Sequence, residues 1–574
     1  MSEPENAGAG SATAVAAEFD LVVLGAGVGG LTAALVAAIE GRRVLVIEKS
    51  RFVGGTSARS SGTVWIPDNP YMRRQGMTDD AAAARQYLDA LAGERIIPEL
   101  RDAFLAAGPE MVEYLEARTD IRFKPYPAQP DYRQELPGVG QGWRPLEPVA
   151  FDGRTLGRHF DDVGWPLPEL VLFRGMMVTR SEVARLLKLG KNLDSLLLGA
   201  RLVLRYAWDR LRHKRGTRLV LGNALVARLY GNLLERGGTV WLGCGATRLL
   251  REDGQVRGLM VHREGREVRV GARLGVVMAG GGFPASPELR ERYLPSPTAQ
   301  YTAAFEGCVG ETIQLAEQVG GVLGPMGEDN ALWFPSSIAK RADGSTAVYP
   351  HIVLDRAKPG LIAVNQAGRR FVDEGVSYHE FTRAMYRENR RTPCIPAMLV
   401  CDRRFVWKYG LGMIRPRTPF LRHYIASGYL TVADTLEDLA RKIGVDPAGL
   451  AETARTHNRY AQTGVDEDFG KGSNSYDRSS GDPTVQPNPC LGPIERPPFC
   501  AVAVVPTPLG TSLGLLTNGS AQVLDAEGRP IPGLYACGND MHSAFGGEYP
   551  GAGSQLGSAM AFGYLAARHA GQGV

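Results

Sequence analysis

The chain has no CxxC pair, and its seven cysteines (Cys244, Cys308, Cys394, Cys401, Cys490, Cys500, Cys537) are scattered over 574 residues. A zinc ribbon, another metal site or a redox dithiol is therefore not expected, and an odd, sparse set reads as reduced thiols of a cytoplasmic protein. No run of roughly 18 apolar residues occurs, so no transmembrane helix is expected. The N-terminus lacks the basic and apolar regions of a secretory signal; residues 1–17, small and acidic, read as a disordered tail. Charge of one sign is also scarce. The net charge is +4, from 65 Lys and Arg against 61 Asp and Glu, which argues against nucleic acid as a partner.

Glycine, by contrast, is abundant, with 71 residues, which marks many places where backbone must approach a ligand or another backbone. The length exceeds what one hydrophobic core serves, so two domains are expected. Phe19 to Leu24 (FDLVVL) reads as a buried parallel strand. Gly25-Ala26-Gly27-Val28-Gly29-Gly30 follows, then a helical stretch, then a second strand, Arg43 to Ile47, ending at Glu48. Strand, glycine turn, helix, strand and acid within about 30 residues are the context a dinucleotide-binding unit requires. Gly25 permits the tight turn, Gly27 lets backbone approach a pyrophosphate, and Gly30 allows close helix–strand packing. The helix N-terminus then offers free N–H groups to phosphate. Glu48 is placed to accept hydrogen bonds from the adenosine ribose.

The next segment distinguishes FAD from NAD. Lys49 leads to Gly54-Gly55-Thr56-Ser57, with Ser61 and Gly62 beyond, which resembles the small-residue wrap around the flavin half of FAD. The late Tyr535-Ala536-Cys537-Gly538-Asn539 looks like the element that reaches the ribitol and pyrophosphate. A second nucleotide fingerprint is absent, so electrons are expected to pass to an external acceptor, a quinone or another carrier, not NAD. Short strands are expected over 239–279 (TVWLG, ATRLLRE, VRGLMVH, REVRV, LGVVMA), closed by Gly280-Gly281-Gly282. Ala246, Ala279, Gly280 and Gly281 are assigned to the cofactor, as are Gln555 and Leu556 at the start of a final helix over 554–570. Residues 80–118 and 160–240 read as mainly helical, and 330–500, richer in Pro, Arg and aromatics, as a cap-like domain. Segment 185–215 carries nine Lys and Arg against Asp194 and Asp209. It reads either as helices with solvated charges or as a patch for peripheral membrane contact.

The motifs GAGVGGLTAALVAAIEG, GGTSARSSGTVWIP, MAGGGF, GRRFVDEGVSYHEFTRAMY, IPGLYACGN and EYPGAGSQLGSAMAFGYLAARHA resemble the fumarate reductase/succinate dehydrogenase flavoprotein superfamily, and within it the 3-ketosteroid Δ1-dehydrogenases. The resemblance covers nearly the full length. It implies an α/β fold, a Rossmann-like FAD-binding domain interrupted by an α+β catalytic cap domain. The parts are 18–332 with a helical insertion at about 160–218, the cap at 333–500, and 501–574 completing the FAD domain. It also implies non-covalent FAD, since GGTSARSSG has no His where covalently linked relatives carry one.

Fumarate reductases place a catalytic Arg four residues after the Glu of the RFVDE element, where this chain has Tyr378, and their C-terminal Arg has no counterpart in Phe545–Gly551. A dicarboxylate needs fixed positive charge, so fumarate is disfavoured. Tyr378 and Tyr549 match the two tyrosines of the Δ1-dehydrogenases, and Gly553 matches the backbone donor. A third family tyrosine corresponds to Tyr132, with Tyr126 as its rival. The implied reaction is α,β-dehydrogenation of a lipophilic 3-ketosteroid. Tyr549 and the Gly553 N–H polarise the carbonyl, Tyr378 aided by Tyr132 takes the α-proton, and hydride goes to flavin N5. A phenol is a weak base at neutral pH, so neighbours must favour its phenolate. His542 reads as a hydrogen-bonded local residue rather than a base. Ala552 stands where the family has Pro, Ser554-Gln555 replace a small pair, and Glu548 puts an acid beside Tyr549. These departures leave open a smaller cyclohexanone-like ketone, a Δ4 position, an ene-reductase running in reverse, and an electron-transfer flavoprotein subunit.

Overall fold

A computed structural model describes residues 17–572 apart from 79, 174, 187–191, 342, 353 and 354. The expected tail lies outside the described residues except for Ala17, which already begins a strand. Parallel strands Ala17–Leu24, Val44–Glu48 and Thr239–Leu242 lie side by side; Arg266–Met278 pairs the other edge of the first strand and Pro530–Ala536 pairs it in turn. Residues Asp20 to Leu24 and all of Val44–Glu48 are buried, as both faces of a covered parallel sheet require. The chain returns to this sheet only near its C-terminus, which makes the domain discontinuous. Gln255–Arg263 and Gly245–Glu252 extend it as an antiparallel meander. REVRV and LGVVMA, expected as two strands, are one, because Gly275 (φ +130°) absorbs the bend without ending the ladder.

The helix Val28–Ile39 is apolar all round and buried from Val28 to Ala38. It lies between the sheet and the last helix, Ser554–Gln572, as such a helix must. The two helices meet at glycines: a Cβ on Gly563 would sit 2.4 Å from the Gly29 carbonyl oxygen.

A second sheet is built on the strand Phe499–Thr511, which pairs antiparallel with Ala331–Lys340 and Ala397–Asp402 and reaches Thr346–Pro350, Leu361–Val364 and Thr431–Ala433 through them or directly. This sheet takes in residues on both sides of the expected boundaries at 333 and 500. Beneath it runs the helix Tyr378–Asn389. The RFVDE element before that helix is fixed by buried charge. Arg370 makes paired bonds to Glu374 (2.9 and 2.9 Å) and to Asp466 (2.8 and 2.8 Å), and Lys471 lies 3.1 Å from Glu374. Arg356 holds the Glu374 and Val376 carbonyls at 3.0 and 3.1 Å. The expected helical insertion contains the helices Arg180–Leu186 and Leu193–Arg210, with 187–191 between them outside the described residues.

Candidate active site

One continuous cavity of about 500 Å³ runs between the two sheets, from Glu48 to a cluster of tyrosines. At the first end the glycine turn has the expected geometry. Gly25 has φ +110°, and a Cβ there would lie 2.2 Å from the Ala279 oxygen; on Gly30 it would lie 2.1 Å from the Gly25 oxygen. Gly27 caps the helix Val28–Ile39 with no side chain. A Cβ on Gly27 meets only Ser57 Oγ at 3.7 Å, and one on Gly55 only Phe305 at 4.0 Å, so both backbones face open cavity. Glu48 accepts the Ala26 N–H at 3.0 Å and the Ser50 N–H at 2.9 Å, which fixes its carboxylate at the cavity wall. Asp540, buried, accepts the N–H groups of Gly280 (2.6 Å) and Gly282 (2.8 Å) and holds that turn open.

Of the residues assigned to the cofactor, Gly25, Gly27, Gly29, Gly30, Glu48, Lys49, Gly55, Thr56, Ser57, Ser61, Ala246, Ala279, Gly280, Gly281, Gly538, Asn539, Gln555 and Leu556 line the cavity. Ala26, Gly54 and Gly62 do not. Ala26 is tied to Glu48, Gly54 donates its N–H to the Ala26 oxygen at 2.8 Å, and Gly62 packs against Gly222. Their work is to shape the wall. The wall also includes Cys308 and Thr312, which sequence reasoning missed because neither sits in a motif. The donor set fits FAD: a glycine cradle at a helix N-terminus, an acid for a ribose, and Gln555, whose buried Nε2 has no partner among the described residues.

At the other end four tyrosines meet, each from a different segment. Tyr132 comes from the loop after the strand Phe123–Pro125, Tyr378 is the first residue of the helix Tyr378–Asn389, Tyr476 lies on Ser475–Ser480, and Tyr549 precedes the last helix. Tyr132 donates its O–H to Tyr378 Oη at 2.7 Å. The Tyr549 ring lies 5.3 Å from Tyr378 and 5.5 Å from Tyr132, and Tyr476 lies 5.1 Å from Tyr132. Phe334, 4.5 Å from Tyr378, closes one side. The loop positions are locked from behind. Asp131 accepts Trp65 Nε1 (2.7 Å) and Arg144 Nη1 (2.5 Å), and the Tyr132 N–H donates to the Pro550 oxygen at 3.0 Å, which joins two of the tyrosine segments. Gly553 lines the cavity with φ +94°; a Cβ would lie 2.3 Å from the Thr63 oxygen. No acceptor among the described residues takes its N–H.

Burial raises the Tyr378 and Tyr132 hydroxyls well above the ordinary tyrosine value, and pushes Tyr549 up to about 12. Tyr549 is thus held as a neutral donor. The neighbouring Tyr132 and Tyr549 phenols add to that rise at Tyr378 while it is neutral; were Tyr378 to ionise, the Tyr132 O–H would point at its charged oxygen, at a helix N-terminus capped by Ser377. Tyr126 also lines the cavity but is outside this cluster; its ring lies under Arg180, 5.7 Å away. His542 is not on the cavity wall. It packs against Gly324, its Nδ1 has no described partner, and burial lowers its pKa to about 4. It is therefore neither the expected hydrogen-bonded residue, as far as its ring is concerned, nor a base. Tyr476 and Phe334 were not expected.

Comparison with known proteins bears on this geometry. Residues 20–556 match the FAD binding domain family. The 3-oxosteroid 1-dehydrogenase of Mycobacterium tuberculosis (strain ATCC 25618 / H37Rv) is 36% identical over 568 residues, 96% of this chain and 98% of that protein. The crystal structure of 3-ketosteroid Δ1-dehydrogenase from Sterolibacterium denitrificans, in complex with 1,4-androstadiene-3,17-dione, superposes with a TM-score of 0.91 at 38% identity, covering 97% of this chain and all of that one. The chain belongs to the 3-ketosteroid Δ1-dehydrogenase family of FAD-binding flavoproteins. It is an FAD-dependent oxidoreductase. At similar distance stands the 4-oxocyclohex-2-ene-1-carboxylate 5-dehydrogenase of Sinomonas cyclohexanicum, 34% identical over 96% of this chain and 93% of that protein. The family thus includes proteins named for a four-ring and for a one-ring ketone. Among the described residues, no helix is long and apolar enough to cross a membrane.

Proposed function

We propose that the chain dehydrogenates a 3-ketosteroid next to its carbonyl, the Δ1 position being the expected one. The observation that carries this is the meeting of Tyr132, Tyr378, Tyr549 and Gly553 in the same cavity as the glycine cradle. The Tyr549 O–H and the unclaimed Gly553 N–H would hold the ketone oxygen. There the last helix begins, and its positive end favours the charge that develops on that oxygen. Tyr378 would take the α-proton as a phenolate steadied by the Tyr132 O–H. The glycine cradle, Glu48 and Gln555 would hold FAD without a covalent bond, and the flavin would supply a hydride acceptor for the β-hydrogen, an external acceptor such as a quinone then taking up the electrons. The wall of Val171, Met177, Phe334, Ile352 and Leu509 supports a lipophilic skeleton larger than one ring. Anaerobic mixing with androst-4-ene-3,17-dione should bleach the flavin and give a product lighter by two hydrogens. Bleaching by cyclohexanone alone would move the substrate to a single ring. Reoxidation of reduced enzyme by enones, with no bleaching by any ketone, would make it a reductase.

We further propose peripheral membrane contact through the helix Leu193–Arg210. Leu193, Leu196, Leu197, Leu204 and Trp208, with Leu211 beyond, are each more than half exposed, and Arg201, Arg205 and Arg210 flank them. Its other side, through Leu198, Leu202 and Tyr206, belongs to the cluster containing Val178 and Val183, which line the cavity. A lipophilic ketone would then enter from the bilayer side. Co-sedimentation with anionic lipid vesicles should be strong for the native chain and lost in L204E/W208E; no binding by the native chain overturns the proposal.

A further inference from the structure

The charges on the cavity wall divide unevenly. At the dinucleotide end each cation has a carboxylate: Lys49 lies 2.7 Å from Glu311 and Arg59 2.6 Å from Glu306. The two acids that line the cavity, Glu48 and Glu311, are both at that end. Beyond the tyrosines the wall carries two more cations, Arg180 and Lys358. Neither has a carboxylate within 4.0 Å among the described residues. The nearby acids are committed elsewhere, Glu182 to Arg218 at 2.7 Å and Asp482 to Lys408 at 2.7 Å. Arg180 has only a long 3.5 Å contact with Gln129 Oε1 and the Tyr126 ring. Lys358 donates to the Gly481 oxygen at 2.7 Å, and burial lowers its pKa.

Arg180 is half-buried on the cavity wall, and its guanidinium has no carboxylate partner among the described residues. Its planar fork suits a carboxylate in two parallel hydrogen bonds, which is the strong form of this contact. Resting on the proposed ketone dehydrogenation, we propose that Arg180, with Lys358 as the second cation, recognises a carboxylate on the substrate, so that the preferred substrate is a ring ketone acid rather than a neutral ketone. Two kinds of molecule share this chemistry, a 3-ketosteroid with an acidic side chain and a cyclohexanone carboxylate. The apolar residues Val171, Met177, Phe334, Ile352 and Leu509 on the same cavity wall favour the first.

The test uses the FAD-loaded enzyme and matched pairs, a 3-keto-4-ene steroid acid and its methyl ester, and 4-oxocyclohexanecarboxylate and its methyl ester. The readouts are kcat/KM for each and calorimetric binding of each acid. The native enzyme should prefer the acid over its ester by about tenfold or more in one pair, chiefly through KM, with the preference shrinking at high salt. Whichever pair shows it identifies the source. R180Q should bring that ratio to near one, and R180K should keep part of it. Ester and acid used equally by the native enzyme would overturn the inference while leaving ketone dehydrogenation intact. So would R180Q losing kcat on acid and ester alike, since Arg180 would then act on the charge of Tyr132 and Tyr476 rather than on substrate. No turnover of any ketone would overturn both readings.

Discussion

Tyr132→Phe removes one hydroxyl and nothing else from the cluster, and the structure fixes what should follow. The lost bond is the 2.7 Å contact from Tyr132 to Tyr378 Oη, between two buried rings. If Tyr378 works as a phenolate, this is a hydrogen bond to a charged group, worth about 1.5–3 kcal/mol. The proton-transfer barrier should rise by that amount, and kcat fall roughly ten- to 150-fold. The pH profile carries the discriminating information. Burial raises the Tyr378 pKa well above the ordinary tyrosine value, so little phenolate exists at neutral pH and the native rate should climb with pH, by about tenfold per unit. Tyr132→Phe withdraws a group that favours the phenolate, so the alkaline limb should move to still higher pH and the loss should be greatest at neutral pH. Stopped-flow reduction of the bound flavin by substrate, measured across pH, reads the chemical step directly. A native limb that is flat with pH, or a mutant that is slower with its limb in place, would refute the proton-acceptor role and leave Tyr132 as packing.

Two further changes test the frame around this pair. Gly553→Ala puts a Cβ 2.3 Å from the Thr63 oxygen in a φ +94° backbone, so the loop must shift and its N–H move off the ketone oxygen. By the usual worth of one such donor, kcat should fall about 100-fold or more, seen in the same flavin-reduction assay. Glu374→Gln leaves buried Lys471 without its carboxylate and Arg370 with Asp466 alone, and should cost about 3–5 kcal/mol in urea unfolding. Burial pushes the Glu374 carboxyl up, but Arg370 and Lys471 outweigh it and hold it well below the usual range. A lowered carboxyl stabilises the fold above its unfolded pKa and loses that contribution as pH falls through the folded one. The native Tm should therefore drop in acid, and Glu374→Gln should flatten that drop.

The dinucleotide unit was legible because its chemistry is local. A tight turn, a close approach and a ribose acid each need a particular residue at a fixed spacing, and all lie within one short stretch from Phe19 to Glu48. Tyr378 and Tyr549 were legible through their motifs, and it is Tyr132 rather than Tyr126 that bonds to Tyr378. Tyr476 was not, because it lies in a polar stretch with no periodicity, on a six-residue helix, and reaches the cluster only by tertiary packing. The boundaries of the cap were illegible for a similar reason. A single long strand, Phe499–Thr511, serves the cap sheet while leading the chain back to the FAD domain, and no composition shift marks that handover.

Glu548 is noticed in sequence as an acid beside Tyr549, and the fold sets what that acid does. In the fold its side chain is buried and paired with two arginines, Arg383 at 2.6 Å and Arg95 at 2.5 Å. Arg383 lies on the helix that begins with Tyr378 and also holds Asp329 at 2.7 Å. The acid is thus neutralised where it stands, and its bond to Arg383 ties the loop of Tyr549 to the helix of Tyr378. The spacing of the two tyrosines is set by that tie as much as by their own contacts. The departure from the family pattern at Glu548 is a brace, and the cation left on the wall for a substrate to answer is Arg180.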